Sequence, residues 1–114
     1  MKLLTKTDLK KLQKQDPYHP SSGLNGKELK DTEAKVLVKF FTPDSSWTWY
    51  AISASEDEKS GDVQFFGLVQ GFDAEFGYFW LKELESVTGP MGLKIERDLF
   101  WTPVTVAELK QEIL

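Results

Sequence analysis

Three runs dense in aromatic and β-branched residues follow one another in the chain: "WTWYAIS" at 47–53, "DVQFFGLVQ" at 62–70 and "EFGYFW" at 75–80. The connections between them are too short to hold a crossover helix, and parallel strands need such a crossover, so these runs pair antiparallel. An earlier run, "KVLVKFF" at 35–41, reads as a strand ended by the turn formers of "TPDSS", and "GLKIERDLFW" at 92–101 reads as a fifth. On the second strand Trp47, Trp49 and Ala51 share one face, and Thr48, Tyr50 and Ile52 the other.

Helices frame these strands. "TKTD" is a capping box with Thr5 as N-cap and Asp8 at the third helical position, and Leu9 and Leu12 continue at helical spacing, which predicts a helix over 6–14. "LKELESV" predicts a short helix after the fourth strand, with Leu81, Leu84 and Val87 on one face. A second capping box, Thr105 to Glu108, opens a final helix that turns Val106, Leu109 and Ile113 inward. "QDPYHPSSGLNG" is rich in turn formers and reads as a loop carrying His19, the only histidine. The expectation is one α+β domain over 1–114: a mainly antiparallel sheet of about five strands with N- and C-terminal helices and a short helix after the fourth strand.

Composition narrows the function classes. With 8 Phe, 4 Trp and 3 Tyr in 114 residues, one core forms without metal or disulfide staples. The absence of cysteine removes disulfides, thiolate zinc sites and cysteine nucleophiles, and fits a reducing compartment. A net charge of -4 argues against sequence-independent nucleic-acid binding, which draws on a basic excess. No apolar run approaches a membrane-spanning length, and "MKLLTKTDLKK" lacks a signal core, so the expected location is the cytoplasm of a host cell, with no membrane partner.

The fifth run poses the sharpest chemical question. As a strand, it places Leu93, Ile95, Arg97, Leu99 and Trp101 on one face and Lys94, Glu96, Asp98 and Phe100 on the other. Arg97 then stands among core positions, where a structural role needs acceptors such as Glu83, Glu85, Asp44 or loop carbonyls around its guanidinium. Glu96 and Asp98, at i and i+2, either face solvent or hold a divalent metal, with His19 as a nitrogen ligand and Asp44, Asp73 and Glu75 as further oxygen ligands. The sequence demands no cofactor; the one these residues point to is a divalent metal such as zinc. His19 as a catalytic base finds no nucleophile in a supporting context, since no nucleophile elbow surrounds Ser21 or Ser22.

Other features divide the same way. Trp47, Trp49 and Tyr50, with Lys35 and Lys39 one strand earlier, either fill a sheet core or stack bases of a single strand. "GLVQGFDAEFG" lacks the spacing of a phosphate loop. "SEDEKSGD", with Glu56, Asp57, Glu58 and Asp62, is a solvated loop or a surface for a basic partner, because clustered acids imitate a phosphate backbone.

"KFFTPDSSWTWY", "EFGYFWLKELESVTGPMGL" and "IERDLFWTP", in this order, resemble the family called domain of unknown function 2958, from about residue 35 to residue 103, together with the opening "MKLLT". That resemblance implies a small protein of phages, plasmids and integrative elements, with no agreed activity. One departure is Trp80, where similar members carry a serine able to cap the following helix. Three function classes follow. The first is a non-catalytic protein-binding module acting on a host or competing-element protein, in its sharpest form an anti-CRISPR inhibitor that blocks a nuclease through an acidic surface. The second is a small metal-binding protein or metal-dependent enzyme using Glu96 and Asp98. The third is a single-strand binder using Trp47 and Trp49.

Overall fold

A computed structural model describes residues 2–15, 18–19, 24–25 and 32–113, with only the backbone described at 18–19 and 24–25. In chain order the elements are α1 (Lys6–Lys14), β1 (Tyr18–His19), β2 (Leu24–Asn25), β3 (Lys35–Val36), β4 (Val38–Phe41), β5 (Thr48–Glu56), β6 (Val63–Gln70), β7 (Ala74–Trp80), α2 (Leu81–Ser86), β8 (Glu96–Arg97), β9 (Val104–Thr105) and α3 (Val106–Ile113). The main sheet has five antiparallel strands in the order β7-β6-β5-β4-β8. This is the expected α+β architecture, with helices near both ends of the chain and one after β7.

The capping signals act as read. Thr5 Oγ1 accepts from the Asp8 amide at 3.1 Å, and Thr105 Oγ1 accepts from the Glu108 amide at 3.1 Å while Glu108 Oε1 accepts from the Thr105 amide at 3.0 Å. The two hydrogen bonds from Thr105 hold the Glu108 carboxyl below its ordinary value, the backbone one first.

Both faces of the sheet are buried. Leu12, Val38, Phe40, Trp49, Phe65, Phe79 and Leu84 form one core with α1 and α2, and Val36, Tyr50, Ile52, Leu68, Val106 and Leu109 form another with α3. The register of β5 against β6 shifts between Ala51 and Ser53. That bulge re-phases the strand, so Ala54 joins Trp49 and Ala51 in the first core instead of following Ile52 into the second. The Gln15 side-chain Nε2, at the end of α1, donates to the Ile52 carbonyl at 2.6 Å and to the Lys35 carbonyl at 2.8 Å, tying the bulged strand to β3.

Three readings change. The run 35–41 is two strands: β3 pairs with β9, and only β4 enters the main sheet. The loop around His19 contains a short ladder, with Tyr18 opposite Asn25 and His19 opposite Leu24. The fifth strand shrinks to Glu96–Arg97, because Asp98 Oδ1 accepts from the Phe100 amide at 2.9 Å and turns the chain. Ile95 is therefore buried, while Leu93, Leu99 and Phe100, assigned to strand faces by alternation, are exposed.

Candidate functional site

The β4–β5 turn, the β6–β7 turn and the segment before β8 meet at one end of the sheet. In the first turn the Thr42 amide and hydroxyl both donate to the Trp47 carbonyl, at 3.1 and 3.3 Å, and the Thr42 and Ser45 hydroxyls bond each other. This pins the chain on either side of Trp47. Its indole stacks on Trp49 at 6.1 Å between centroids and meets the Phe72 ring edge-on at 5.7 Å. Gly71 supplies the room: a Cβ there would lie 2.3 Å from the Trp47 ring.

Asp44 positions the third segment. Its Oδ2 accepts from the amides of Met91 at 2.7 Å and Leu93 at 3.4 Å. Its Oδ1 is buried, has no hydrogen-bond partner among the described residues, and sits 1.6 Å from where a Gly89 Cβ would be. The carboxylate thus fits only against a glycine.

The outcome is an aromatic surface. Trp49 is buried and Trp47 is 36% exposed, but Phe72 is 95% and Met91 80% exposed. Two hollows flank Trp47. One, of about 400 Å³, is lined by Thr42, Ser45, Trp49, Val87, Thr88 and Pro90 among others; the second, of about 200 Å³, is lined by Val69, Phe72, Asp73 and Glu75. A hairpin tip occupied by Phe72 is the signal in "GFDA" that alternation alone passes over: an apolar side chain stands where a turn needs only polar residues.

The acids of "IERD" are placed otherwise. Arg97 is half-buried, and its Nη1 meets Asp8 Oδ2 of α1 at 3.4 Å, so its partner is none of Glu83, Glu85 or Asp44. Asp98 Oδ2 lies 3.8 Å from Lys39 Nζ, whose ammonium sits 5.5 Å from the Trp101 ring and 5.8 Å from the Tyr50 ring. Tyr50 is buried, and that burial, with the charge of Glu112 second, raises its phenol above the ordinary value. Glu96 lines a separate hollow beside Leu3, Leu84 and Lys94. Among the described residues no three His, Asp or Glu side chains gather as a metal set, and the His19 side chain lies outside the described residues.

Residues 3–109, spanning all of these motifs, match the family described as a protein of unknown function (DUF2958). The chain belongs to that family. No curated protein and no solved structure matches it. No helix among the described residues of this DUF2958 protein is long and apolar enough to cross a membrane.

The acidic loop of this DUF2958 chain lies at the other end of the sheet, between β5 and β6. Two of its four acids are engaged within the fold. Asp57 accepts from Ser60 Oγ at 2.7 Å and from the Lys59 amide at 3.3 Å, which lowers its pKa, the Ser60 bond first. Asp62 Oδ1 accepts from the Val63 amide at 2.8 Å and from the Lys82 amide at 3.1 Å. Trp80, the N-cap of α2, forms no side-chain cap, so Asp62 caps the helix from the neighbouring loop. Glu56 and Glu58 are exposed, and Lys82 Nζ donates to the Ser60 carbonyl at 3.3 Å, which dilutes the negative charge of the loop.

Proposed function

We propose that this chain is a non-catalytic protein-binding module of a mobile element, and that it docks a host or competing-element protein through the Trp47 end of the sheet. The observation that carries this is the exposure of Phe72, 95%, which lines one of the Trp47 hollows, and of Met91, 80%, which follows Pro90 of the other in the chain. Apolar side chains at loop tips add nothing to this core, whereas aromatic and Met side chains around a hollow are the usual anchors of a protein interface. The acidic loop is the weaker surface, because Asp57 and Asp62 serve the turn and the helix cap. In the sharpest form of the proposal the partner is a CRISPR nuclease, whose basic channel complements a chain of net charge -4.

The test compares two sets of substitutions against a partner recovered with the wild-type protein from the host. Phe72→Ser with Met91→Ser abolishes association and leaves the melting temperature in place, while Glu56→Lys with Glu58→Lys weakens it only modestly. Loss of association from the glutamate pair alone would move the interface to the loop.

A further inference from the structure

We infer that the segment seated on the aromatic end brings a cationic side chain, best an arginine, into the hollow formed by Trp47, Val69, Phe72, Asp73 and Glu75. This rests on the docking reading above and names the chemistry of its occupant. Asp73 and Glu75 are exposed, and neither makes an ion pair or a side-chain hydrogen bond among the described residues. Both line a hollow whose other walls are Trp47, Phe72 and Val69, and no lysine or arginine lines either hollow beside Trp47. Aromatic walls and two carboxylates together are complementary to one kind of group. A guanidinium stacks on an indole and uses its fork of donors on carboxylates, and each half of that pairing strengthens as the other removes water.

The same arrangement argues against a second copy of the chain as the occupant. Two such ends placed face to face would bring Asp73 and Glu75 of one copy against those of the other, on chains of net charge -4 each. The carboxylates therefore select the partner as well as bind it: an apolar anchor sits in the larger hollow lined by Trp49, Val87 and Pro90, and the cation sits in the smaller.

The experiment uses the full chain, immobilised, against a displayed library of random short peptides, with the Trp47→Ala/Phe72→Ser variant as the subtraction control. The expected selection is peptides that combine arginine or lysine with an apolar residue. A selected peptide resynthesised with neutral citrulline for arginine binds about tenfold more weakly. Asp73→Asn with Glu75→Gln produces about the same loss for the arginine peptide and leaves the citrulline peptide unchanged. Selection of neutral or acidic peptides that still need Trp47 and Phe72, or equal binding of the arginine and citrulline forms, would overturn the inference while leaving the docking surface standing. No selection above the control would overturn both.

Discussion

Removing the carboxylate of Asp62 probes how α2 starts without a capping residue of its own. Trp80 occupies the N-cap with extended backbone angles and no side-chain cap, and Asp62 Oδ1 receives the Lys82 amide at 3.1 Å instead. In Asp62→Ala the Lys82 amide returns to water, because that contact is exposed, so the loss at the helix is that of a cap and not of a buried orphan, about 1 kcal/mol, while the partly buried Val63 amide loses the same acceptor in every background. Loss of a negative charge at the helix start adds about 0.3–0.5 kcal/mol. Asp62→Asn keeps the acceptor and loses the charge, so it recovers about 1 kcal/mol of the total. Urea unfolding reads this as a lower midpoint at unchanged slope. The decisive comparison is in a Trp80→Ser background, where a local serine cap takes over the orphan amides: there Asp62→Ala costs less than in the wild-type chain. An Asp62→Ala variant as stable as wild type, or an equal cost in both backgrounds, would refute capping from the loop.

Three further tests rest on local contacts. Gly89→Ala destabilises by about 2 kcal/mol in the same unfolding assay, since its Cβ meets the Asp44 carboxylate and must displace it from the Met91 amide. Arg97→Ala costs about 1 kcal/mol, and a double-mutant cycle with Asp8→Ala gives a coupling of about 0.5 kcal/mol, because one half-exposed contact at 3.4 Å is all that links them. Glu108 has a lowered pKa in the folded chain, so its capping contribution is present above the unfolded value and fades as pH falls through the folded one; an NMR titration finds Glu108 below the ordinary glutamate range, and Thr105→Val moves it back up.

How much was legible followed the range of the signal. α1 and α3 were read to within a residue because Thr5, Asp8, Thr105 and Glu108 act within one turn of themselves. The middle strands were read well because each run is long and each turn short. The run at 92–101 failed for a local reason that alternation does not contain: Asp98 makes a side-chain turn, so only two residues stay in the ladder. The division of 35–41 depends on β9, far along the chain, and no local pattern reports it. The candidate site was legible only in pieces. Trp47 stands out in the sequence as a core or base-stacking aromatic, and Asp44, Asp73 and Glu75 as metal ligands; it is the folding of three separate turns onto one end that sets Trp47, Asp73 and Glu75 around a hollow with Phe72, and Asp44 against Met91. For Arg97 the sequence suggests Glu83, Glu85, Asp44 or loop carbonyls as acceptors, and the contact the structure shows is with Asp8 on a distant helix, which no local pattern reports.

The central claim is that the partner touches the Trp47 end and not the acidic loop. The most direct measurement places a photo-crosslinking amino acid at position 72 in one variant and at position 58 in another, expresses each in the host, and compares the adducts after irradiation. Phe72 and Glu58 are both exposed and lie at opposite ends of the sheet, so the two probes report separate surfaces without disturbing the core. A discrete adduct from position 72 that disappears with Trp47→Ala, and none from position 58, is the predicted result. A discrete adduct from position 58 with none from position 72 would contradict it.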